Sequence, residues 1–212
     1  MELPSPPPVS GDWTAAADPP AAGTPTWGVV DFYPRQGEWS EADYFALDVG
    51  RQIDFCDGVL EFLPVPTFKH QKLVDWLAAE LRKALDWDRV ATSLYRLRIR
   101  PGKYRQADVI ATRDESAFTD DYATAADLVI EVLSPGTKNR ERDEVTKRAE
   151  YAEARVPEYW IVDPAGPRVE VLRLSGGEYE TAGVYEVDAV VECESIDGFR
   201  VAVADLLALV GG

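Results

Sequence analysis

Glu131 stands inside the most apolar run of the chain, Leu128-Val129-Ile130-Glu131-Val132-Leu133. A carboxylate taken into an apolar strand is costly unless it is paired or bound to a cation. On a strand Ile130 and Val132 face one side while Glu131 and Leu133 face the other. Asp108 lies on an earlier strand, between Ala107 and Val109. If the two strands are neighbours, both carboxylates converge on one point. That pair suits Mg²⁺, a hard cation that takes carboxylate oxygens and keeps several waters, with Mn²⁺ as an alternative. Such an ion polarises a phosphate and lowers the pKa of a water that can attack it. If Glu131 pairs with an arginine instead, it is a structural acid and no chemistry follows.

Asp143, Lys147 and Tyr151 recur at i, i+4 and i+8, so one helix face carries an ion pair followed by a phenol. A lysine on that face could steady an attacking water or the charge of a transition state. On spacing alone the trio also reads as a surface pair with Tyr151 packed below it. His70 is the single histidine. It could contact a phosphate or relay a proton, or simply hydrogen-bond locally at a helix start. Asp54 and Glu61 flank a hairpin and could be solvent-facing. Tyr159 and Trp160 read as sheet-face and core packing rather than as platforms for bases.

The elements that must position these groups are legible in the pattern. Ser40-Glu41-Ala42-Asp43 before Tyr44, Phe45 and Leu47 predicts a capped short helix. Cys56-Asp57-Gly58 between Ile53-Asp54-Phe55 and Val59-Leu60-Glu61-Phe62 predicts a hairpin. Leu73, Val74, Leu77, Leu81 and Leu85 recur at helical spacing, so Phe68 to Leu85 reads as an amphipathic helix. Leu94 to Ile99 alternates and turns at Pro101-Gly102, and Ala107 to Ala111 is expected to return antiparallel to it. Leu128 to Leu133, ending at Ser134-Pro135-Gly136, reads as a central strand covered on both faces. A helix over Asn139 to Ala154, a strand at Glu158 to Val162, a strand from Val169 to Leu174 turning at Ser175-Gly176-Gly177, further β segments and a short helix near Leu206 complete the order. No internal repeat is present. The order predicts an α/β domain around a mixed sheet.

Composition sets the outer limits. The chain has 212 residues, 46% of them hydrophobic, which suits one compact domain over residues 27–212. Residues 1–26 are rich in Pro and Ala and read as a flexible tail, without the basic start and apolar stretch of a secretory signal. No uninterrupted apolar stretch is long enough for a membrane helix. The two cysteines, Cys56 and Cys193, are far apart and match no metal spacing, so they read as free thiols in a reducing cytoplasm.

A formal net charge of −16 argues against loose, charge-driven attraction to nucleic acid. The charge is uneven, however. Arg96, Arg98, Arg100, Lys103 and Arg105 cluster without an acid among them, and Lys138, Arg140, Arg142, Lys147 and Arg148 cluster among acids. Both could be solvated faces, yet they flank Asp108 and Glu131.

The stretch from Tyr44 to Asp163 resembles the Uma-type restriction endonuclease family, within the PD-(D/E)XK nuclease superfamily. The resemblance rests on Asp57-Gly58, His70, Ala107-Asp108-Val109, Glu131-Val132-Leu133-Ser134-Pro135, Lys147 with Tyr151, and Glu158-Tyr159-Trp160-Ile161-Val162-Asp163-Pro164. It implies a restriction-endonuclease-like core, a central mixed sheet flanked by helices. It also implies a Mg²⁺-dependent endonuclease acting on DNA, with Asp108, Glu131 and Lys147 catalytic and Asp108, Glu131 and Val132 at the metal. Asp54, His70 and Tyr151 would be accessory, and Arg98, Arg100, Lys103 and Arg105 would touch the DNA backbone. Two departures stand out. Ala107 replaces the proline, which is not a ligand, and Leu133 replaces the lysine expected two residues after the glutamate, a role Lys147 would take. Leu133 and the charge leave room for a nuclease-fold scaffold with weak or no chemistry, or for a hydrolase of small phosphoesters. Cutting both strands needs two sites or repositioning, so a homodimer is expected.

Overall fold

Asp57 and Gly58 both adopt positive φ, 48° and 83°, as a two-residue hairpin turn requires. They join β1 (Ile53–Cys56) to β2 (Val59–Phe62), antiparallel with Phe55 opposite Leu60. Gly58 has a second reason to lack a side chain: a Cβ there would lie 2.6 Å from the Gly37 carbonyl oxygen. The computed structural model describes residues 33–47, 51–134, 142–166 and 168–210. The tail expected over residues 1–26 lies outside them, as do Pro135, Gly136, Lys138, Asn139 and Arg140 of the motifs above. Ahead of the hairpin, Ser40 and Asp43 form the expected capping box at the start of α1 (Glu41–Phe45).

Thr67 caps the next helix, α2 (Phe68–Ala84), by accepting from the His70 backbone N–H. Its apolar stripe, Leu73, Val74, Leu77, Ala78 and Leu81, is fully buried, and truncating Leu77 to alanine would cost about 2–5 kcal/mol. The stripe packs on one face of a six-stranded sheet built from β3 (Val90–Thr92), β6 (Val109–Ala111), β8 (Leu128–Val132), β9 (Glu158–Asp163), β10 (Arg168–Ser175) and β11 (Glu178–Tyr185). The order is β11-β10-β9-β8-β6-β3, with β8 and β9 parallel and every other pair antiparallel. Leu128, Ile130 and Val132 of β8 share a cluster with α2. Val129 and Leu133 point to the opposite face, into a cluster with Tyr151 and Ala152 of α3 (Lys147–Glu153). A π-helical turn, Arg142–Thr146, leads into α3. The last described segments are β12 (Val190–Glu192), β13 (Arg200–Ala202) and α4 (Val203–Val210).

A second sheet holds β1, β2, β4 (Arg96–Arg100), β5 (Lys103–Gln106) and β7 (Tyr122–Ala123), in the order β2-β1-β5-β4-β7. This corrects one sequence expectation. The antiparallel return after Pro101-Gly102 is made by Lys103–Gln106, not by Ala107 to Ala111. At Ala107-Asp108 the chain leaves this sheet, and Val109–Ala111 pairs between β3 and β8 in the other one. Val109, Ile110 and Ala111 are all fully buried, as residues of a strand covered on both faces are. Among the described residues no helix is long and apolar enough to cross a membrane.

Candidate active site

Asp108 occupies the step between the two sheets. Because β6 and β8 are antiparallel with Val109 opposite Ile130, the next position along each strand sets Asp108 beside Glu131. Both are nearly buried, 7% and 3% exposed. Asp108 Oδ2 accepts from the Val132 backbone N–H at 2.8 Å and lies 3.1 Å from His70 Nε2. A carboxylate only accepts, so the histidine proton sits on Nε2, and the buried Nδ1 has no partner. Burial pushes the His70 pKa down, but the bond to Asp108 and the charges of Asp108 and Glu131 outweigh it and leave a net rise.

Glu131 projects to the opposite face of β8 from α2 and meets α3. Its Oε1 accepts from Lys147 Nζ at 2.7 Å and from the Tyr151 hydroxyl at 2.6 Å. Lys147 also lies 3.4 Å from Asp143 Oδ1. The buried Asp143 is pinned in turn, its carbonyl accepting from the Tyr159 hydroxyl at 2.9 Å. Burial pushes the Glu131 carboxyl up to about 8 against the pull of Lys147, and Asp108 and Asp143 add to the rise. Burial would lower the Lys147 pKa, but Glu131 and Asp143 together hold it above its usual range. One ammonium therefore serves two acids, Glu131 and Asp143.

One oxygen of each central acid is left over. Among the described residues Asp108 Oδ1 and Glu131 Oε2 accept no hydrogen bond, and both acids line a narrow cleft with His70, Arg142, Asp143 and Lys147. Two carboxylate oxygens open to a cleft, beside a surplus of negative charge, fit a hard divalent cation completed by water. Among the described residues no group of three His, Cys, Asp or Glu side chains has metal-ligand geometry, so any ion here would draw its remaining ligands from backbone or water.

The structure thus brings Asp108, Glu131, Lys147, His70, Tyr151 and Val132 together. Leu133 is buried in the cluster around Tyr151, and Lys147 reaches Glu131 from the helix instead. Asp54 lies deeper, fully buried, with Oδ1 accepting from the Gln106 backbone N–H at 2.7 Å and Oδ2 lying 3.4 Å from Arg105 Nη1. Burial raises its pKa, while Lys147 and Arg105 pull it down.

The four basic residues expected at the DNA backbone have protein partners. Arg105 is buried and grips Glu150 through two bonds of 2.6 and 2.7 Å. Arg100 holds Asp57 at 2.6 and 2.8 Å. Lys103 faces Glu150 at 3.3 Å, and the Arg98 guanidinium lies over the Tyr122 ring at 5.1 Å. None of them lines the cleft. Arg142 does, a residue seen in the sequence only as part of a basic cluster. Gln106, which accepts from Ile53 N and donates to Leu94 O, went unnoticed, and only its place before Ala107-Asp108 could have drawn attention to it. Tyr159 and Trp160 are fully buried, as expected of packing residues.

The sequence matches the family model Uma2, described as "Putative restriction endonuclease", over residues 41–204. No curated protein matches it. Its fold is similar to the crystal structure of a protein described as a putative nuclease belonging to DUF820 from Anabaena variabilis ATCC 29413. The two share 19% identity with a TM-score of 0.64, over 81% of this chain and 98% of that one.

Proposed function

The chain belongs to the Uma2 family, described as putative restriction endonucleases, and from that premise we propose that it is a metal-dependent endonuclease hydrolysing phosphodiester bonds of DNA. The observation that carries this reading is the pairing of Asp108 with Glu131 at one cleft, each with an oxygen unclaimed among the described residues. Mg²⁺, or Mn²⁺ in its place, would supply a Lewis acid for the phosphate and acidify a water. Asp108 would hold it through Oδ1 and Glu131 through Oε2. Val132 could add only its carbonyl oxygen, because its N–H is taken by Asp108.

The remaining roles follow from the geometry. Val132 N–H and His70 fix Asp108 from one side, and Lys147 with Tyr151 fixes Glu131 from the other. Lys147 is held protonated by two acids, so it acts as a fixed positive charge toward the phosphate rather than as a base. Asp54 acts at one remove, as one of the acids that raise the Lys147 pKa. Arg142 is the cation at the cleft suited to a phosphate contact, whereas Arg98, Arg100, Lys103 and Arg105 would first have to leave their present partners. Two copies would be needed to cut both strands in one encounter, hence a homodimer. Cys56 and Cys193 are free thiols, in keeping with a cytoplasmic enzyme.

A plasmid-nicking assay tests the proposal. Nicking should require Mg²⁺ or Mn²⁺ and vanish in Asp108→Ala and Glu131→Ala. Nicking that persists in both variants, or that ignores chelation of the metal, refutes it.

A further inference from the structure

Lys147 owes its place to the turn before it. The π-helical turn Arg142–Thr146 runs directly into α3. Such turns close i→i+5 bonds in place of i→i+4, are rare, and occur frequently at functional sites. Relaxation to α-helical bonding would re-aim Arg142 and Asp143 relative to the residues that follow. Asp143 Oδ1 lies 3.4 Å from Lys147 Nζ, so the shape of this turn decides where the ammonium can stand.

The six-stranded sheet holds the turn through one phenol. The Tyr159 hydroxyl, fully buried, donates to the Asp143 carbonyl at 2.9 Å. Tyr159 lies opposite Val129 of β8, and two residues on Ile161 lies opposite Glu131. The turn is thereby referenced to the strand beside the one that carries the glutamate. Burial, with the charges of Glu131 and Asp143 adding to it, holds the phenol well above its ordinary range, so it remains a donor. Beyond Lys147 the second sheet supplies another anchor, where Arg105 grips Glu150. The two anchors bracket Lys147, four residues before it and three after.

We propose that Tyr159 is a positioning residue for the hydrolysis: through the Asp143 carbonyl it fixes the π-helical turn, and so sets the Lys147 ammonium 2.7 Å from Glu131 with its charge toward the phosphate. The inference rests on the phosphodiesterase reading of the cleft. Tyr179 supplies the contrast. It packs on Tyr159 with ring centroids 5.9 Å apart, and its hydroxyl donates to the Val156 carbonyl at 2.7 Å. That bond ties the loop between α3 and β9, at the opposite end of α3 from the turn. The two phenols share near-complete burial and the same kind of bond, and differ in what they hold.

The test compares Tyr159→Phe with Tyr179→Phe, each losing one hydroxyl and keeping its ring. Three quantities are read: Tm, the kinetics of plasmid nicking in Mg²⁺, and the ¹⁵N-lysine ammonium NMR signal of Lys147 without metal, assigned by its loss in Lys147→Arg. Both variants should lower Tm by a similar amount, about 2–4 °C. Tyr159→Phe should also shift or broaden the Lys147 signal and lower kcat about tenfold or more with KM unchanged. Tyr179→Phe should leave the signal and kcat at their wild-type values. A wild-type signal or a wild-type kcat in Tyr159→Phe overturns the proposal. So does an equal fall in kcat in Tyr179→Phe, which would make both phenols packing residues. A wild type that nicks no DNA removes the phosphodiesterase reading instead, and the ammonium signal then still decides whether Tyr159 places Lys147.

Discussion

Glu131 and Glu150 are both nearly buried acids, 3% and 7% exposed, and each takes two short hydrogen bonds. They nonetheless titrate in opposite directions. At Glu150 burial would raise the pKa, but the bidentate Arg105 and the nearby Lys103 overcome it, and the carboxyl lies below its ordinary 4.5. At Glu131 burial prevails and the carboxyl rises to about 8, because Lys147 is shared with Asp143 and Asp108 adds a like charge. Burial is common to the two regions; the ratio of cations to acids is what differs. The Arg105–Glu150 pair is complete and serves as scaffold between the second sheet and α3. The Asp108–Glu131 pair lacks positive charge, and a divalent cation is the ligand that would restore it.

The comparison can be broken in several places. The largest expected effect is on the scaffold: Arg105→Ala strands Glu150 and Asp54 and should cost about 3–5 kcal/mol, read by urea unfolding. A loss below 1 kcal/mol would mean that the pair is not structural. Next, Asp108→Ala should lower metal-dependent nicking at least about a hundredfold while leaving the circular dichroism spectrum unchanged. Glu131→Gln without metal, compared above pH 8 where the wild-type carboxyl is ionised, should go the other way and stabilise the protein by about 1–2 kcal/mol, since Lys147 keeps Asp143 and one buried negative charge is gone. Tyr151→Phe is the smallest, a loss of about 1 kcal/mol for one hydrogen bond.

Protons sharpen the contrast further. A raised carboxyl contributes stability that is fully present below its unfolded pKa of 4.5 and is lost as pH climbs through the folded value of about 8. The advantage of Glu131→Gln over wild type should therefore grow between those limits. A lowered carboxyl contributes stability above its unfolded 4.5 that is lost as pH falls. The penalty of Glu150→Gln should accordingly shrink on acidification below that point. Parallel pH profiles for the two variants would erase the distinction.

Local signals were readable in the sequence. Asp57-Gly58, the helical stripe from Leu73 to Leu81 and the apolar run around Glu131 each state their own conformation, and all three form as expected. The crossing at Ala107-Asp108 was not readable, because no Gly or Pro marks a break between Lys103 and Ala111 and only the pairing of Val109 with Ile130 reveals the change of sheet. The fate of the arginines was hidden for a similar reason. Arg105 and Glu150 are distant in sequence, and nothing local announces that a basic run will be met by acids from α3. His70 was visible as a lone histidine, but its contact with Asp108 depends on the placement of α2 over the sheet.

The most direct test of the central claim is thermal unfolding of wild type and Glu131→Ala, each with and without millimolar Mg²⁺ or Mn²⁺. A ligand that binds only the folded state raises its apparent stability by mass action. The account predicts a metal-dependent rise in Tm for wild type and none for Glu131→Ala. A wild-type Tm indifferent to both ions, or an equal rise in the variant, would contradict it.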